Sequence, residues 1–113
     1  MHEMSLTEGV IGIVEEEARR RGITRVRAVV LEIGALACAE PEAMRFCFDV
    51  VSRGTPAEGA RLEIVLVPGA GWCFDCERPV ALAERFSPCP ECGRFRVQMT
   101  SGDELRVRDM EVE

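Results

Sequence analysis

The sequence predicts an α+β fold: two helices packed on a small mixed β-sheet, with a second, metal-stapled module inserted ahead of the last strand. Three observations carry that prediction. Helix-period and strand-period runs alternate through residues 1–67. A stretch dense in Cys, Pro and Gly then runs from Trp72 to about Met99 without a long periodic segment. Strand-like alternation returns at residues 105–113.

The first helix is expected over residues 6–21. Ser5-Leu6-Thr7-Glu8 has the form of a capping box, in which the Ser5 hydroxyl and the Glu8 carboxylate each satisfy a free backbone N–H. Apolar residues follow at Leu6, Val10, Ile13, Val14 and Ala18, and Gly22 suits the left-handed position just past a helix end. Residues 1–4 then lie just before the helix, near the positive end of its dipole. Residues 25–33 are rich in β-branched side chains and read as a strand covered on both faces, ending at Gly34.

Glu40-Pro41-Glu42 reads as a second helix start, with Pro in the first turn beside an acid. Met44, Cys47, Phe48 and Val51 form one buried stripe running to about Arg53, and Gly54-Thr55-Pro56 breaks it. Residues 61–67 alternate as a second strand, and Pro68-Gly69-Ala70-Gly71 reads as a flexible boundary. The roughly 30 residues beyond it cannot bury a self-sufficient core and need a staple. In the last strand the phase of alternation changes near Asp109, which marks a bulge or the end of burial.

Composition excludes several classes. A chain of 113 residues that is 47% apolar and 30% charged is too apolar for disorder and too polar for a membrane protein. No stretch approaches the roughly 18 apolar residues of a membrane span. Met1-His2-Glu3-Met4-Ser5 lacks the basic and apolar regions of a secretory signal, so the expectation is a cytoplasmic chain complete from Met1. The net charge is −6, and the arginines of Glu15-Glu16-Glu17-Ala18-Arg19-Arg20-Arg21 interleave with acids. That is the pattern of a solvated helix face rather than a phosphate-binding patch, so no nucleic-acid partner is expected.

Of the six cysteines, Cys73-Phe74-Asp75-Cys76 and Cys89-Pro90-Glu91-Cys92 form two Cys-x-x-Cys knuckles. Two such knuckles let four thiolates converge on one tetrahedral ion, with zinc as the default and bonds of about 2.3 Å. Gly93 after the second knuckle supplies the positive φ such a turn needs. Two disulfides suit an oxidising compartment rather than this one. A four-thiolate iron site is the more serious rival, and colour would distinguish it. A closed site of this kind is structural, since no position is open to substrate. Four thiolates and one zinc take the formal charge from −6 to about −8. Cys47 lies on the apolar stripe as a small buried hydrophobe, and Cys38 falls in a loop as an exposed thiol.

His2 is the single histidine. The bulky second residue disfavours removal of Met1, which leaves a free amine there. That amine, the His2 amide and an imidazole nitrogen can chelate one ion, and the Glu3 amide can complete a square plane, the geometry of nickel(II) or copper(II). By itself a histidine at position 2 is ordinarily an exposed and idle side chain. No nucleophile–base pair, phosphate loop or second histidine points to an enzyme.

The start Met1-His2-Glu3-Met4-Ser5-Leu6 together with the paired knuckles resembles the hydrogenase-maturation nickel-insertion proteins, the HypA/HybF family. Glu32-Ile33-Gly34 and the run Ser101-Gly102-Asp103-Glu104-Leu105 share in the resemblance, which spans essentially the whole chain. It implies a nickel metallochaperone, with nickel held by Met1, His2 and Glu3 and assisted by an acid near the second helix, here matched to Glu40. It implies zinc held by Cys73, Cys76, Cys89 and Cys92 in a zinc-ribbon-like domain. The nickel domain would then be residues 1–67, completed by a returning strand within 102–113, and the zinc domain the insertion 68–101. Implied partners are a GTPase of nickel insertion, the large subunit of [NiFe]-hydrogenase and, for some members, urease maturation proteins. The rival readings are a zinc-ribbon adaptor without nickel function and a rubredoxin-like electron carrier.

Overall fold

A computed structural model describes residues 2–113. Helix α1 spans Glu3–Arg21, strand β1 Val26–Gly34, helix α2 Pro41–Val51 and strand β2 Arg61–Val67. Strands β3 (Ala70–Cys73), β4 (Arg78–Ala81) and β5 (Val97–Ser101) follow, and β6 (Leu105–Val112) closes the chain. The architecture is the expected α+β type, two helices with small sheets.

Helix α1 begins earlier than the capping box predicts. His2 is its N-cap and offers no side-chain cap bond, and the Leu6 N–H donates to the His2 carbonyl at 3.0 Å. Ser5 is an exposed residue inside the helix. The start is set instead by contacts with α2. The Glu40 N–H donates to Glu3 Oε2 at 3.3 Å, and Thr7 Oγ1 lies 3.6 Å from Met44 Sδ. Tertiary contacts of this kind override a local cap of about 1 kcal/mol. The buried face comprises Thr7, Val10, Ile11, Val14 and Ala18, while Ile13, counted among the apolar residues of the period, is exposed. At the far end Gly22 takes φ 67°, the Ile23 N–H reaches the Ala18 carbonyl and the Gly22 N–H that of Arg19, closing the helix as a Schellman motif.

Helix α2 starts where the sequence places it, with Pro41 in the first turn, and stops at Val51 rather than Arg53. Met44, Cys47 and Phe48 are buried, and Val51 is half-buried at the end of the stripe. In the first sheet the strand order is β2-β1-β6. The Gly34 N–H donates to the Glu104 carbonyl and the Glu113 N–H to that of Arg25, so β6 runs antiparallel to β1. The Ala35 N–H donates to the Val67 carbonyl, joining the C-terminal ends of β1 and β2, which are therefore parallel and linked through α2. Central β1 buries residues of both parities, Val26 and Ala28, then Val29, Leu31 and Ile33. Along β6 the half-buried positions switch from Leu105 and Val107 to Met110 and Val112, the phase change read near Asp109.

The second sheet has order β4-β3-β5, with β3 antiparallel to both neighbours. The sequence misses its three short strands. Residues 68–71, read as a flexible boundary, instead lead directly into β3, where Ala70 pairs with Ala81 and Ser101. Strands of four or five residues carrying Gly and Pro have too few side chains to show alternation; their pairing is imposed by the knuckles they flank.

The chain divides into two compact units. One comprises residues up to Glu32, Ala39–Val65 and Arg106–Glu113, and the other Ile33–Cys38 and Leu66–Leu105. No helix among the described residues is long and apolar enough to cross a membrane. Within the second unit the backbones of Gly34 and Gly102 nearly touch, and a Cβ on Gly34 would lie 2.0 Å from the Gly102 carbonyl oxygen. That neighbour is backbone and cannot swing aside. Gly34→Ala is therefore expected to destabilise the fold by about 3 kcal/mol, the upper end of overpacking effects, read as a lower urea midpoint at unchanged slope.

Candidate metal centre

Cys73 ends β3, Cys76 lies in the turn leading to β4, and Cys89 and Cys92 occupy the second knuckle ahead of β5. The four sulfur atoms all lie within 4.8 Å of one another. Cys73 Sγ is 3.7 Å from Cys92 Sγ, and Cys76 Sγ is 3.9 Å from Cys89 Sγ. A tetrahedron with metal–sulfur bonds of about 2.3 Å has edges of about 3.8 Å. The spacings bracket that value and far exceed the ~2.05 Å of a disulfide, and the four thiols are free.

The two knuckles repeat one local geometry. The Glu77 N–H donates to the Cys73 carbonyl at 2.8 Å, and the Gly93 N–H to the Cys89 carbonyl at 2.9 Å. Four residues past each leading cysteine the backbone turns left-handed, at Glu77 (φ 54°) and Gly93 (φ 73°). Amides also point at sulfur: Cys76 N–H to Cys73 Sγ at 3.3 Å and Glu91 N–H to Cys89 Sγ at 3.4 Å. Such donors disperse thiolate charge and orient the ligands. Cys73 and Cys89 are fully buried against Val80 and Val97, with Cys76 and Cys92 half-buried beside them.

Without a metal the quartet is electrostatically awkward. Loss of hydration, reinforced by the neighbouring sulfurs, pushes the Cys76 thiol up to about 12. The Cys92 amide pulls the Cys89 thiol down. The Arg94 amide pulls on Cys92, but burial and the sulfurs of Cys73 and Cys89 outweigh it and raise that thiol. A soft divalent cation resolves this by replacing the protons. The donor set fits a metal such as zinc.

Ion pairs cross between the knuckles, and sequence reading missed them. Asp75 of the first knuckle faces Arg96 at 3.1 Å and Arg94 at 4.0 Å, both beyond the second, while Glu91 of the second knuckle pairs with Arg78, just past the first. The reciprocal placement of acids inside and arginines after each knuckle is visible in the sequence, but only once the knuckles are known to face each other.

At the other candidate site, His2 is exposed, with Nδ1 3.9 Å from Glu3 Oε2. Glu3 is buried, and its carboxylate is held below the ordinary range by the Glu40 amide first, then by its own amide and by His2. Glu40 is exposed, and its Oε2 accepts from the Ala43 N–H at 2.7 Å, capping α2. His2, Glu3 and Glu40 thus lie together where the two helices begin; Met1 lies outside the described residues. Cys38 is an exposed thiol with φ 60°, and Cys47 is buried on α2; neither is among the four clustered cysteines.

The sequence matches, over residues 1–112, the profile of a family described as hydrogenase/urease nickel incorporation, metallochaperone, hypA. It is 61% identical over the full length of both chains to hydrogenase maturation factor HypA of Methylocella silvestris, and 56% identical, again over both full lengths, to that of Azotobacter vinelandii. Its fold is similar to the solution structure of the nickel metallochaperone HypA from Helicobacter pylori, with TM-score 0.72 and 24% identity, covering 99% of this chain and 97% of that one. A second solution structure, of a HypA protein, aligns with TM-score 0.73 and 25% identity over 100% and 97% of the two chains.

Two outcomes follow from this geometry. Zinc added to metal-free protein at neutral pH is expected to release roughly three to four protons per ion, counted by calorimetry in buffers of different ionisation heat. Glu3, whose carboxylate is lowered in the folded chain, contributes stability that is present above its ordinary value of 4.5 and lost as pH falls through the lowered one. Amide NMR of Glu40 is expected to titrate below that ordinary value as its acceptor protonates.

Proposed function

The chain belongs to the HypA family of nickel-incorporation metallochaperones, and from that premise we propose that it binds nickel(II) at its amino terminus and delivers it during maturation of [NiFe]-hydrogenase. Nickel is cargo here, held by the Met1 amine, the His2 amide and imidazole, and nitrogen or oxygen of Glu3. The carrying observation is the exposed His2 at the first turn of α1, directly beside a Glu3 carboxylate fixed by the Glu40 amide. An exposed imidazole at a chain end can exchange a metal because few packed contacts must break. The buried carboxylate beside it supplies negative charge at a fixed place.

Glu40 assists from the start of α2. One of its oxygens already caps the helix, so its contribution to nickel is limited to the other oxygen or to orienting Glu3 through its amide. We assign zinc to Cys73, Cys76, Cys89 and Cys92 as a resident structural ion. The nickel domain in this reading comprises residues 1–67 with the returning strand 102–113, and the zinc domain residues 68–101. The protein acts in the cytoplasm as a carrier, not a catalyst. Its partners are a GTPase of nickel insertion, the hydrogenase large subunit and, where urease is made, urease maturation proteins; nucleic acid and membrane are not among them.

His2→Ala is expected to lower nickel affinity at least about a hundredfold, the scale set by loss of an anchoring metal ligand, while zinc content and the amide spectrum stay unchanged. One residue added before Met1 is expected to act likewise by moving the amine. Affinity is expected to fall as pH drops, since ligand nitrogens must shed protons to bind. Nickel titration by calorimetry, with zinc measured by elemental analysis, decides the matter. Wild-type nickel binding in both variants overturns the assignment, and zinc retention with no nickel uptake by the native chain leaves only an adaptor.

A further inference from the structure

Beside β5 the second unit carries an apolar concavity of about 250 Å³, with Leu82, Val97 and Met99 among its lining residues. Phe86 and Phe95 also line it and are 90% and 73% exposed. A phenyl ring left in water forgoes its burial energy. Phe86 also holds φ 62°, a left-handed conformation that is costly for a bulky side chain. Neither expense is recovered within the described residues, and both fall on one concavity.

Arg85 supplies the charge. Its Nε donates to the Leu36 carbonyl at 2.9 Å, which fixes the guanidinium stem. It has no acidic partner among the described residues, unlike Arg78, Arg94 and Arg96, which pair with Glu91 or Asp75. The backbone supplies direction. β5 is an edge strand. The Phe74 N–H bonds the Arg96 carbonyl, and the register pairs Trp72 with Gln98 and Cys73 with Val97. Antiparallel alternation then turns the N–H and C=O of Val97 and Met99 outward, toward the free edge.

We propose that this concavity and the β5 edge form a docking site for an extended segment of a partner protein that carries a bulky aliphatic side chain next to an acidic one. The segment adds a strand to β5, seats its aliphatic side chain between Phe86 and Phe95, and sets its carboxylate on Arg85. The cavity is smaller than the ~300–1,000 Å³ of small-molecule sites, which favours a side chain over a cofactor. One unpaired arginine on a chain of net charge −6 is too little to track phosphates, which favours peptide over nucleic acid. Nothing in this site depends on nickel.

The test displays a random heptapeptide library to the immobilised, zinc-loaded full chain. The enriched sequences are expected to pair Leu, Ile or Val with Asp or Glu, and a synthetic peptide of that sequence to bind by fluorescence anisotropy. Joint replacement Phe86→Ser and Phe95→Ser is expected to weaken it by about tenfold or more, with unchanged zinc content and amide spectrum. Arg85→Gln is expected to remove the acidic preference and Arg85→Glu to shift it to Lys. The proposal is overturned if no aliphatic–acidic sequence is enriched, or if the double serine variant enriches the same sequences. It is overturned equally if oligothymidylate or phosphatidylglycerol vesicles compete at this site as well as the peptide does.

Discussion

The convergence of four sulfur atoms is the constraint on which the second unit depends. Its strands β3 to β5 are four or five residues long, the core around the sulfurs is Val80 with parts of Val97 and the cysteines themselves, Ile33, Leu36 and Leu82 add only a few further buried side chains, and much of its remaining surface is charged or aromatic and exposed. Hydrophobic burial on that scale cannot offset the ordering of its 46 residues at ~1–2 kcal/mol each for backbone alone. The sulfur spacing, already that of a tetrahedron, fits a metal ion that would offset it. The features around the quartet read as support for the knuckles: two left-handed turns, two amides on sulfur and two sets of crossed ion pairs. The ion pairs are exposed and individually weak. Their value lies in favouring one facing arrangement of the knuckles over others.

The other candidate site is built on the opposite principle. Where the quartet is buried and closed, the start of α1 is exposed and ordered from below, by a carboxylate that belongs to one helix and accepts from the backbone of the next. In the carrier reading the contrast is functional. A resident ion needs ligands that cannot leave together, while a transported ion needs ligands that can be presented, exchanged and presented again. In that reading Glu3 would serve as an anchor as much as a ligand, since its hydrogen bond with the Glu40 amide ties the first turn of α1 to α2.

Much of this was legible in the sequence, and the failures have a common cause. Patterns carried by side chains over one long element were read well: the α2 stripe of Met44, Cys47 and Phe48, the bounds of β2, and the change of phase in β6. The knuckles were legible because thiolate spacing is dictated by coordination chemistry, which tolerates little variation. What was not legible depends on partners remote in sequence. The Ser5 capping box is a valid local signal, but the helix continues through it because Glu3 and Thr7 gain contacts with α2 that Ser5 could not provide. Ile13 fits the apolar period of α1 but lies beside the stripe that packs inward, a distinction set by what the helix packs against rather than by its own sequence. Strands β3 to β5 escaped because their residues are chosen to fit between knuckles, not to alternate.

The misread helix start carries the larger lesson about the amino-terminal site. Had α1 begun after a local cap at Ser5, residues 2–4 would form a free tail, and any metal bound there would have to order it at an entropic cost of ~1–2 kcal/mol per residue. With His2 as the N-cap and Glu3 already inside the first turn, that cost is met when the chain folds, by the burial of Glu3 and Thr7 against α2. In the carrier reading, an ion arriving at His2 would meet residues 2 and 3 already ordered, with an exposed imidazole still to orient. Preorganisation of this kind raises affinity without adding ligands. In that reading firm capture and easy release are compatible, because the contacts that order the start of α1, from Glu3 and Thr7 to α2, are not the ones proposed to hold the ion.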